Sequence, residues 1–382
     1  MRILLLNGPN LNLLGTRNPE VYGSTTLPEL EAMFRGWAAA LGITEVEAFQ
    51  SNHEGELIDR IHAARADVDG IVFNPGALTH TSYALHDAIE AVEVATVETH
   101  ISDVEAREEW RRISTIRPAC VHTVYGRGID GYRWALQHLV ARRAVPVQRL
   151  DYGPSPDQFA DLRLPAGEGP FPLAVTVHGG FWRHRWTRET IELAALDLTA
   201  RGMASLNVEY RRVGDGGGGT ASLDDVVEAI FAGLEHPMVN SSRWAILGHS
   251  AGGQLGLVAA RILAGADDRA PRLAVSLAGV VDLVAAIEDD LGEGAATAYL
   301  GAAAPTALSP LALLPLRVRT LMAHGTADDR VPFSQSQRYV DAATAAGEEV
   351  ELLAGDHDHF AYLDPGHPAW IAVAERVAAA LA

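Results

Sequence analysis

The sequence predicts an α/β protein made of two successive domains, each built on a mostly parallel sheet. Three observations predict this class. The 382 residues exceed the usual size of one domain, short apolar strands alternate with helical patterns in both halves, and a proline-containing break separates two such series near residue 146. We therefore expect domains at residues 1–146 and 147–382.

The first domain shows the order of a βαβ unit, in which consecutive strands run parallel. Apolar runs predict strands at residues 2–6 and 70–73 and a strand end within 92–102, and amphipathic patterns predict helices at 27–41, 54–66 and 131–143.

The second domain begins after two loops rich in glycine and proline. Strands are predicted at residues 173–177, 204–208, 244–247, 273–277 and 319–323, with helical patterns between them. The run of four glycines at 216–219 is interpreted as a flexible loop.

Composition restricts the class of function. The formal charge of −19 argues against nucleic acid or an anionic membrane as a partner, because both attract clustered positive charge. A single cysteine, Cys120, fits a reducing compartment, and no export segment is visible, so a cytoplasmic protein acting on small molecules is expected. Every one of the 30 basic residues is arginine, which excludes a lysine Schiff base.

Two pairs of residues in the first domain suggest elimination of water from a hydroxy ketone, which needs a base and an acid. Tyr22 lies five residues from Arg17, a permanent cation that can stabilise a phenolate base. In a strand, Glu98 and His100 share one face, so the carboxylate can orient the imidazole as the acid.

The motifs around these residues resemble type II 3-dehydroquinate dehydratase. They are NGPNLNLLGTRNPEVYG at 7–23, QSNHEG at 50–55, NPGALTHTS at 74–82, REEWR at 107–111 and GRGIDGY at 126–132. The resemblance covers roughly residues 1 to 143. It implies a flavodoxin-like fold and anti elimination of water from 3-dehydroquinate through an enolate, giving 3-dehydroshikimate, with no cofactor and no metal.

The same resemblance assigns roles to residues. It implies that Tyr22 is the base, that Arg17 favours its phenolate, that Asn10 helps to hold the enolate through water, and that His100 protonates the leaving hydroxyl. The substrate's hydroxyls and carboxylate would be bound by Asn74, His80, Asp87, Arg111 and the backbone amides of Ile101 and Ser102.

The resemblance also implies a homo-oligomer, either a trimer or a dodecamer built from trimers, in which the pocket borrows a residue from a neighbouring subunit. The family usually has Glu, Arg and Asn where this chain has Asn18, His86 and Asp103. We expect these changes to affect affinity and subunit contacts more than proton transfer.

In the second domain, Gly248-His249-Ser250-Ala251-Gly252 lies between a predicted strand and a predicted helix. That context is typical of a nucleophile elbow, with Ser250 as the nucleophile. Upstream, the Gly-rich loop after the strand at 173–177 offers the amides of Gly179 and Gly180, which with Ala251 would form an oxyanion hole.

The order Ser, Asp, His is that of α/β-hydrolases. We prefer Asp328 to Asp329 as the acid, because it lies four residues before Pro332, and His359 to His357 as the base, because the resemblance is to Asp-His-Phe. A metal site in this Asp-His-Asp-His run is disfavoured, since alternate residues of one short loop rarely converge.

The second half, roughly residues 148 to 382, resembles small esterases and kynurenine formamidase-like hydrolases through His-Gly-Gly-Phe-Trp at 178–182 and Gly-His-Ser-Ala-Gly-Gly at 248–253. The resemblance implies hydrolysis of a carboxylic ester or small amide. The alternative is a hydrolase domain whose triad is unused and which serves as a scaffold or interaction module.

Overall fold

The computed structural model describes residues 1–104, 107–265 and 269–382. The chain divides into two compact units, Met1–Ala144 and Val145–Ala382, two residues before the boundary placed from the sequence. Within the described part of the chain, none of the helices combines the length and the apolar composition needed to cross a bilayer.

The first unit contains a five-stranded sheet with the order β2-β1-β3-β4-β5, in which all neighbouring strands are parallel. This is the flavodoxin-like strand order, which confirms the predicted fold. The strands are β1 (Arg2–Asn7), β2 (Glu45–Gln50), β3 (Gly70–Asn74), β4 (Thr96–His100) and β5 (His122–Tyr125). The helices are α1 (Pro19–Tyr22), α2 (Leu27–Ala40), α3 (Glu54–Ala64), α4 (Tyr83–Val92) and α5 (Asp130–Ala144).

The core of this unit lies on both faces of the sheet. Alternate side chains of β1 enter different clusters: Ile3 and Leu5 pack in one, and Leu4 and Leu6 pack in the other. Burial on both faces explains why β1 reads as a continuous apolar run, the pattern that predicted it.

The second unit contains an eight-stranded sheet with the order β13-β12-β11-β10-β8-β9-β7-β6. Strands β6 and β7 pair antiparallel, as do β7 and β9, while the remaining neighbours are parallel. The strands are β6 (Gln148–Asp151), β7 (Phe159–Arg163), β8 (Phe171–Val177), β9 (Ala204–Val208), β10 (Val239–His249), β11 (Leu273–Leu277), β12 (Thr320–Gly325) and β13 (Val350–Gly355). The helices are α6 (Glu192–Ala200), α7 (Gly219–Leu234), α8 (Ala251–Leu263), α9 (Leu283–Glu288), α10 (Ala295–Leu300), α11 (Pro305–Leu308), α12 (Ser334–Ala345) and α13 (Pro368–Leu381).

The glycine run at 216–219 packs against neighbouring backbone and leads into a helix. A Cβ at Gly217 would lie 1.9 Å from the carbonyl oxygen of Arg211, and Gly219 is the first residue of α7. The glycines therefore permit a close backbone approach at the start of a helix, which corrects the interpretation from sequence.

Candidate active sites

A pocket in the first unit lies where β1, β3 and β4 end. It is lined by residues that follow or end these strands, including Asn10, Asn74 and His100. The strand order reverses between β1 and β3, and ligands of doubly wound sheets bind at such a point.

The loops after β1 and β3 touch each other at this pocket. The amide of Gly8 donates to the carbonyl oxygen of Asn74 at 2.7 Å, and a Cβ at Gly8 would lie 2.5 Å from the carbonyl oxygen of Pro75. Glycine is required here because any larger residue would separate the two loops.

Tyr22 lies in the pocket between two arginines. The guanidinium carbons of Arg17 and Arg107 lie 5.2 and 5.8 Å from the centre of its ring, and Arg107 also donates a hydrogen bond to its hydroxyl oxygen at 2.9 Å. Arg107 thus contacts the phenol oxygen directly, and Arg17 adds a second positive charge near the ring. Sequence reasoning placed Arg17 here and missed Arg107, whose motif carried the resemblance but was given no role.

His100 is almost fully buried at the end of β4, and its Nε2 lies 2.7 Å from Oε1 of Glu98. Glu98 is completely buried and also accepts hydrogen bonds from the hydroxyls of Thr79 and Ser114. Burial alone would raise the pKa of Glu98, but the hydrogen bonds from His100 and Thr79 outweigh it and hold the pKa below its ordinary value. The ionised carboxylate thus accepts a hydrogen bond from Nε2–H of His100, which leaves Nδ1 as the ring nitrogen that can act on a substrate.

Asn74 is held in one orientation by a chain of buried hydrogen bonds. Its Nδ2 donates to the hydroxyl of Tyr132 at 2.8 Å, and that hydroxyl donates to Oδ1 of Asn7 at 2.8 Å. The amide of Gly76 donates to the Asn74 side-chain oxygen at 3.1 Å. Tyr132 is completely buried, so it acts on the pocket through Asn74.

His80 and Arg111 line the same pocket, as do Ile101 and Ser102. Nδ1 of His80 lies 2.7 Å from the carbonyl oxygen of Ile113 and must donate to it, so Nε2 is left as an acceptor. Burial, as the largest cause, lowers the pKa of His80 and favours this neutral form.

Asp87 is the one predicted binding residue that this arrangement leaves outside the pocket. It is exposed on α4 and does not line the cavity. The remaining predicted residues of this half either line the pocket or, like Glu98, contact a residue that does.

Replacing Tyr132 by phenylalanine is expected to raise KM for the substrate about 10-fold and to change kcat less than about 3-fold. The change removes the hydrogen-bond acceptor of the buried Asn74 amide, which costs about 1–3 kcal/mol. We expect this cost to weaken substrate binding. Steady-state kinetics measure both constants. Tyr83→Phe is the matched control because Tyr83 is 72% exposed, and an equal fall in kcat for Tyr132→Phe would contradict a role in binding.

In the second unit, Ser250 occupies a sharp turn between β10 and α8, with φ 54° and ψ −119°. Two glycines make the turn possible. A Cβ at Gly248 would lie 2.0 Å from the carbonyl oxygen of Gly252, and a Cβ at Gly252 would lie 2.2 Å from that of Val177. The geometry is that of a nucleophile elbow.

Two of the predicted oxyanion residues, Gly179 and Ala251, lie next to this serine. A Cβ at Gly179 would lie 2.8 Å from the Ser250 Cβ, and Ala251 begins α8, whose first amides have no partner within the helix. Gly180 has φ 106°, and Trp186 packs directly on its Cα. The loop after β8 and the start of α8 therefore meet at Ser250.

Asp328 and His359 contact each other, with Nδ1 of His359 2.7 Å from Oδ2 of Asp328. The rival residues have other partners, since His357 Nε2 lies 2.8 Å from the hydroxyl of Tyr362 and Asp329 pairs with Arg330. The Asp-His-Asp-His run thus directs its two imidazoles to different partners.

Two further features of this site concern the Ser250 hydroxyl and the aromatic residues of the loop after β8. Among the described residues, no hydrogen bond joins the Ser250 hydroxyl to His359. Trp182 is only 1% exposed and stacks on Tyr299 at 4.4 Å, so it belongs to the core, while Phe181 and Trp186 are partly exposed.

Residues 1–140 match the family model described as dehydroquinase class II. A catabolic 3-dehydroquinase of Aspergillus oryzae is 54% identical over 137 residues, which cover 36% of this chain and 89% of the relative. One of Verticillium alfalfae is 58% identical over 136 residues, which cover 36% of this chain and 90% of the relative.

Residues 192–371 match the model described as the prolyl oligopeptidase family. The solved structure of a phosphonate-inhibited esterase B from Lactobacillus rhamnosis has a TM-score of 0.55 at 19% identity and covers 65% of this chain and 91% of that chain. At this identity the likeness shows the fold alone, and the predicted esterase-like α/β-hydrolase fold is confirmed.

Proposed function

Because its first 140 residues make the chain a member of the class II dehydroquinase family and its second unit has an esterase-like α/β-hydrolase fold, we propose that it is a bifunctional enzyme. The first activity is dehydration of 3-dehydroquinate to 3-dehydroshikimate. The second is hydrolysis of a carboxylic ester or a small amide.

The observation that carries the first activity is that Tyr22 lies in one pocket with Arg17, Arg107 and His100. The Tyr22 phenolate removes the proton α to the carbonyl, and the electron pair moves to the carbonyl oxygen to give an enolate. The carbonyl then re-forms, the hydroxyl leaves with a proton from His100 Nδ1, and one molecule of water is released. Negative charge develops on the enolate, which the arginine-rich pocket favours.

The pathway is proposed from the relatives. Several proteins similar to the first unit are named catabolic 3-dehydroquinases. We propose that this unit likewise works in quinate breakdown rather than in aromatic amino-acid synthesis, although the dehydration itself is the same in both.

The observation that carries the second activity is the contact between Asp328 and His359 beside an elbow that presents Ser250. Ser250 would attack the substrate carbonyl while His359 accepts its proton, and the amides of Gly179, Gly180 and Ala251 would stabilise the oxyanion. The ester or amide bond then breaks, and the alcohol or amine leaves with the proton from His359. Water hydrolyses the acyl-enzyme, which releases the acid and regenerates the Ser250 hydroxyl. An unused scaffold domain is the competing function, and labelling of Ser250 by a fluorophosphonate distinguishes the two.

We expect the purified chain to convert 3-dehydroquinate to 3-dehydroshikimate without added metal or nucleotide. The absorbance of the conjugated product measures the reaction. Borohydride added with substrate is expected to leave this activity intact, because the chain has no lysine to form an imine. Covalent trapping of the substrate by borohydride would contradict the enolate route.

We also propose a homo-oligomer, with the trimer as its basic unit. Asp87 is exposed on α4 and absent from its own pocket, as expected of a residue that serves a neighbouring subunit. Light scattering is expected to give at least three times the 40.8 kDa of one chain. Mixed oligomers of the inactive variants Asp87→Ala and His100→Ala are expected to regain part of the activity, whereas a monomer or a lack of complementation would contradict the proposal.

A further inference from the structure

Asp328 is contacted by a second histidine that the proposed mechanism does not use. His324 lies in β12, completely buried, with Nε2 3.1 Å from Oδ2 of Asp328 and 3.0 Å from the carbonyl oxygen of Val331. A carbonyl oxygen can only accept, so Nε2 must carry a hydrogen. That hydrogen lies between two acceptors, one of which is the carboxylate that holds His359.

The other side of the His324 ring is also fixed. Nδ1 lies 2.7 Å from the hydroxyl of Ser336 on α12, and Ser336 is completely buried. Phe333 packs against the ring edge to face, with 5.7 Å between the ring centres. The imidazole therefore has one available orientation, and it directs Nε2 to Asp328.

The contacts on the two Asp328 oxygens differ. Oδ1 accepts from the backbone amides of Arg330 and Val331, at 2.8 Å each, which fixes the carboxylate within its loop. Oδ2 accepts a hydrogen bond from Nδ1 of His359 and lies 3.1 Å from the hydrogen-bearing Nε2 of His324. Burial would raise the pKa of Asp328, but the hydrogen bonds from His324 and His359 hold it well below its ordinary range.

We propose that His324 is a positioning residue for hydrolysis: by donating to Oδ2 of Asp328 it fixes that oxygen under His359 and withdraws negative charge from it. The inference rests on the proposed hydrolase function of Ser250. Loss of the His324 donor leaves more charge on Oδ2, which favours the imidazolium form of His359. A general base must be neutral to accept a proton. The loss of activity on acidification, called here the acid limb of the pH profile, therefore begins at a higher pH.

Other titratable groups surround this pair. The ring of His249 lies 4.7 Å from that of His359 and its Nε2 donates to the His359 carbonyl oxygen at 2.9 Å. His357, Asp358 and Tyr362 lie on the loop that carries His359, and Asp329 and Arg330 follow Asp328 in the chain. All of these stay unchanged in the variants below, so differences in the pH profile report His324.

The test is the pH dependence of kcat/KM for an aryl acetate, measured for His324→Leu, His324→Gln and Ser336→Ala. His324→Leu is expected to lower kcat about 10- to 100-fold, because one hydrogen bond to a charged group is lost, and to move the acid limb to higher pH. Glutamine can place an amide donor near the Nε2 position, so His324→Gln is expected to restore most of the wild-type limb. Ser336→Ala keeps the Nε2 donor and is expected to leave the limb unchanged.

An acid limb that stays in place or moves to lower pH in His324→Leu would overturn the inference. An acid limb in His324→Gln that is shifted as far as in His324→Leu would also overturn it. If His324→Leu does not fold, as judged by thermal unfolding, His324→Asn replaces it, because the shorter amide cannot reach Asp328 and the same shift is expected. Fluorophosphonate labelling of the wild type distinguishes failure of the proposed hydrolase function from failure of the proposed role of His324. Absence of labelling at Ser250 rejects the proposed function, while labelling with an unmoved acid limb rejects only the role of His324.

Discussion

Hydrolysis of an aryl acetate is expected to fall by about 10⁴-fold or more in kcat when Ser250 is replaced by alanine, because the acyl-enzyme can no longer form. Dehydration of 3-dehydroquinate is expected to be unchanged in the same sample, because Ser250 belongs to the other compact unit. Parallel assays of the two reactions measure both effects on one preparation.

Ser242→Ala is the matched control for this experiment. Ser242 lies in the same strand, β10, and is exposed. Among the described residues, its hydroxyl hydrogen-bonds only to the side chain of Asn240. Hydrolysis that survives in Ser250→Ala but is lost in Ser242→Ala would point to a different nucleophile.

Dehydration is expected to fall at least about 100-fold in kcat for Tyr22→Phe, since general base catalysis typically contributes that much. The ring remains between Arg17 and Arg107, so substrate affinity should change far less than turnover. Arg107→Leu is expected to lie between wild type and Tyr22→Phe, because it removes the donor at 2.9 Å and leaves Arg17 in place.

Tyr83→Phe controls for the loss of a phenol elsewhere in the first unit, and hydrolysis by the second unit controls for protein quality. A Tyr22→Phe variant that retains wild-type turnover would remove Tyr22 from its role. Equal losses in Tyr22→Phe and Arg107→Leu would instead show that the arginine, rather than the phenol alone, limits proton transfer.

Several of the strands that the sequence predicted have a residue pattern set by burial. Strand β3, buried at all of its positions, gives an uninterrupted apolar run. Strand β2 was missed because it lies at the edge of its sheet, half-buried, with glutamates alternating along it. Strand β6 was also missed, because it lies at the edge of its sheet and has the polar sequence Gln-Arg-Leu-Asp.

The candidate sites divide in a similar way. Residues identified by local spacing, such as Glu98 with His100, are indeed in contact because a strand's period of two is a local property. The role of Arg107 depends on a hydrogen bond to Tyr22, 85 residues earlier in the chain, and no local pattern reports such a contact. The contact of His324 with Asp328 was not predicted either, because the sequence His-Gly-Thr is typical of the end of a strand.

The backbone of Ser250 has a consequence for stability. Its φ of 54° is unfavourable for any residue with a Cβ, at a cost of about 1–3 kcal/mol. The surrounding contacts, with Gly252 packed against Val177, leave the chain no way to relax this turn. Glycine would adopt this backbone conformation at a lower cost than serine, so Ser250 lowers the thermal stability of the second unit relative to a glycine at the same position. Selection for thermal stability alone would therefore act against the nucleophile.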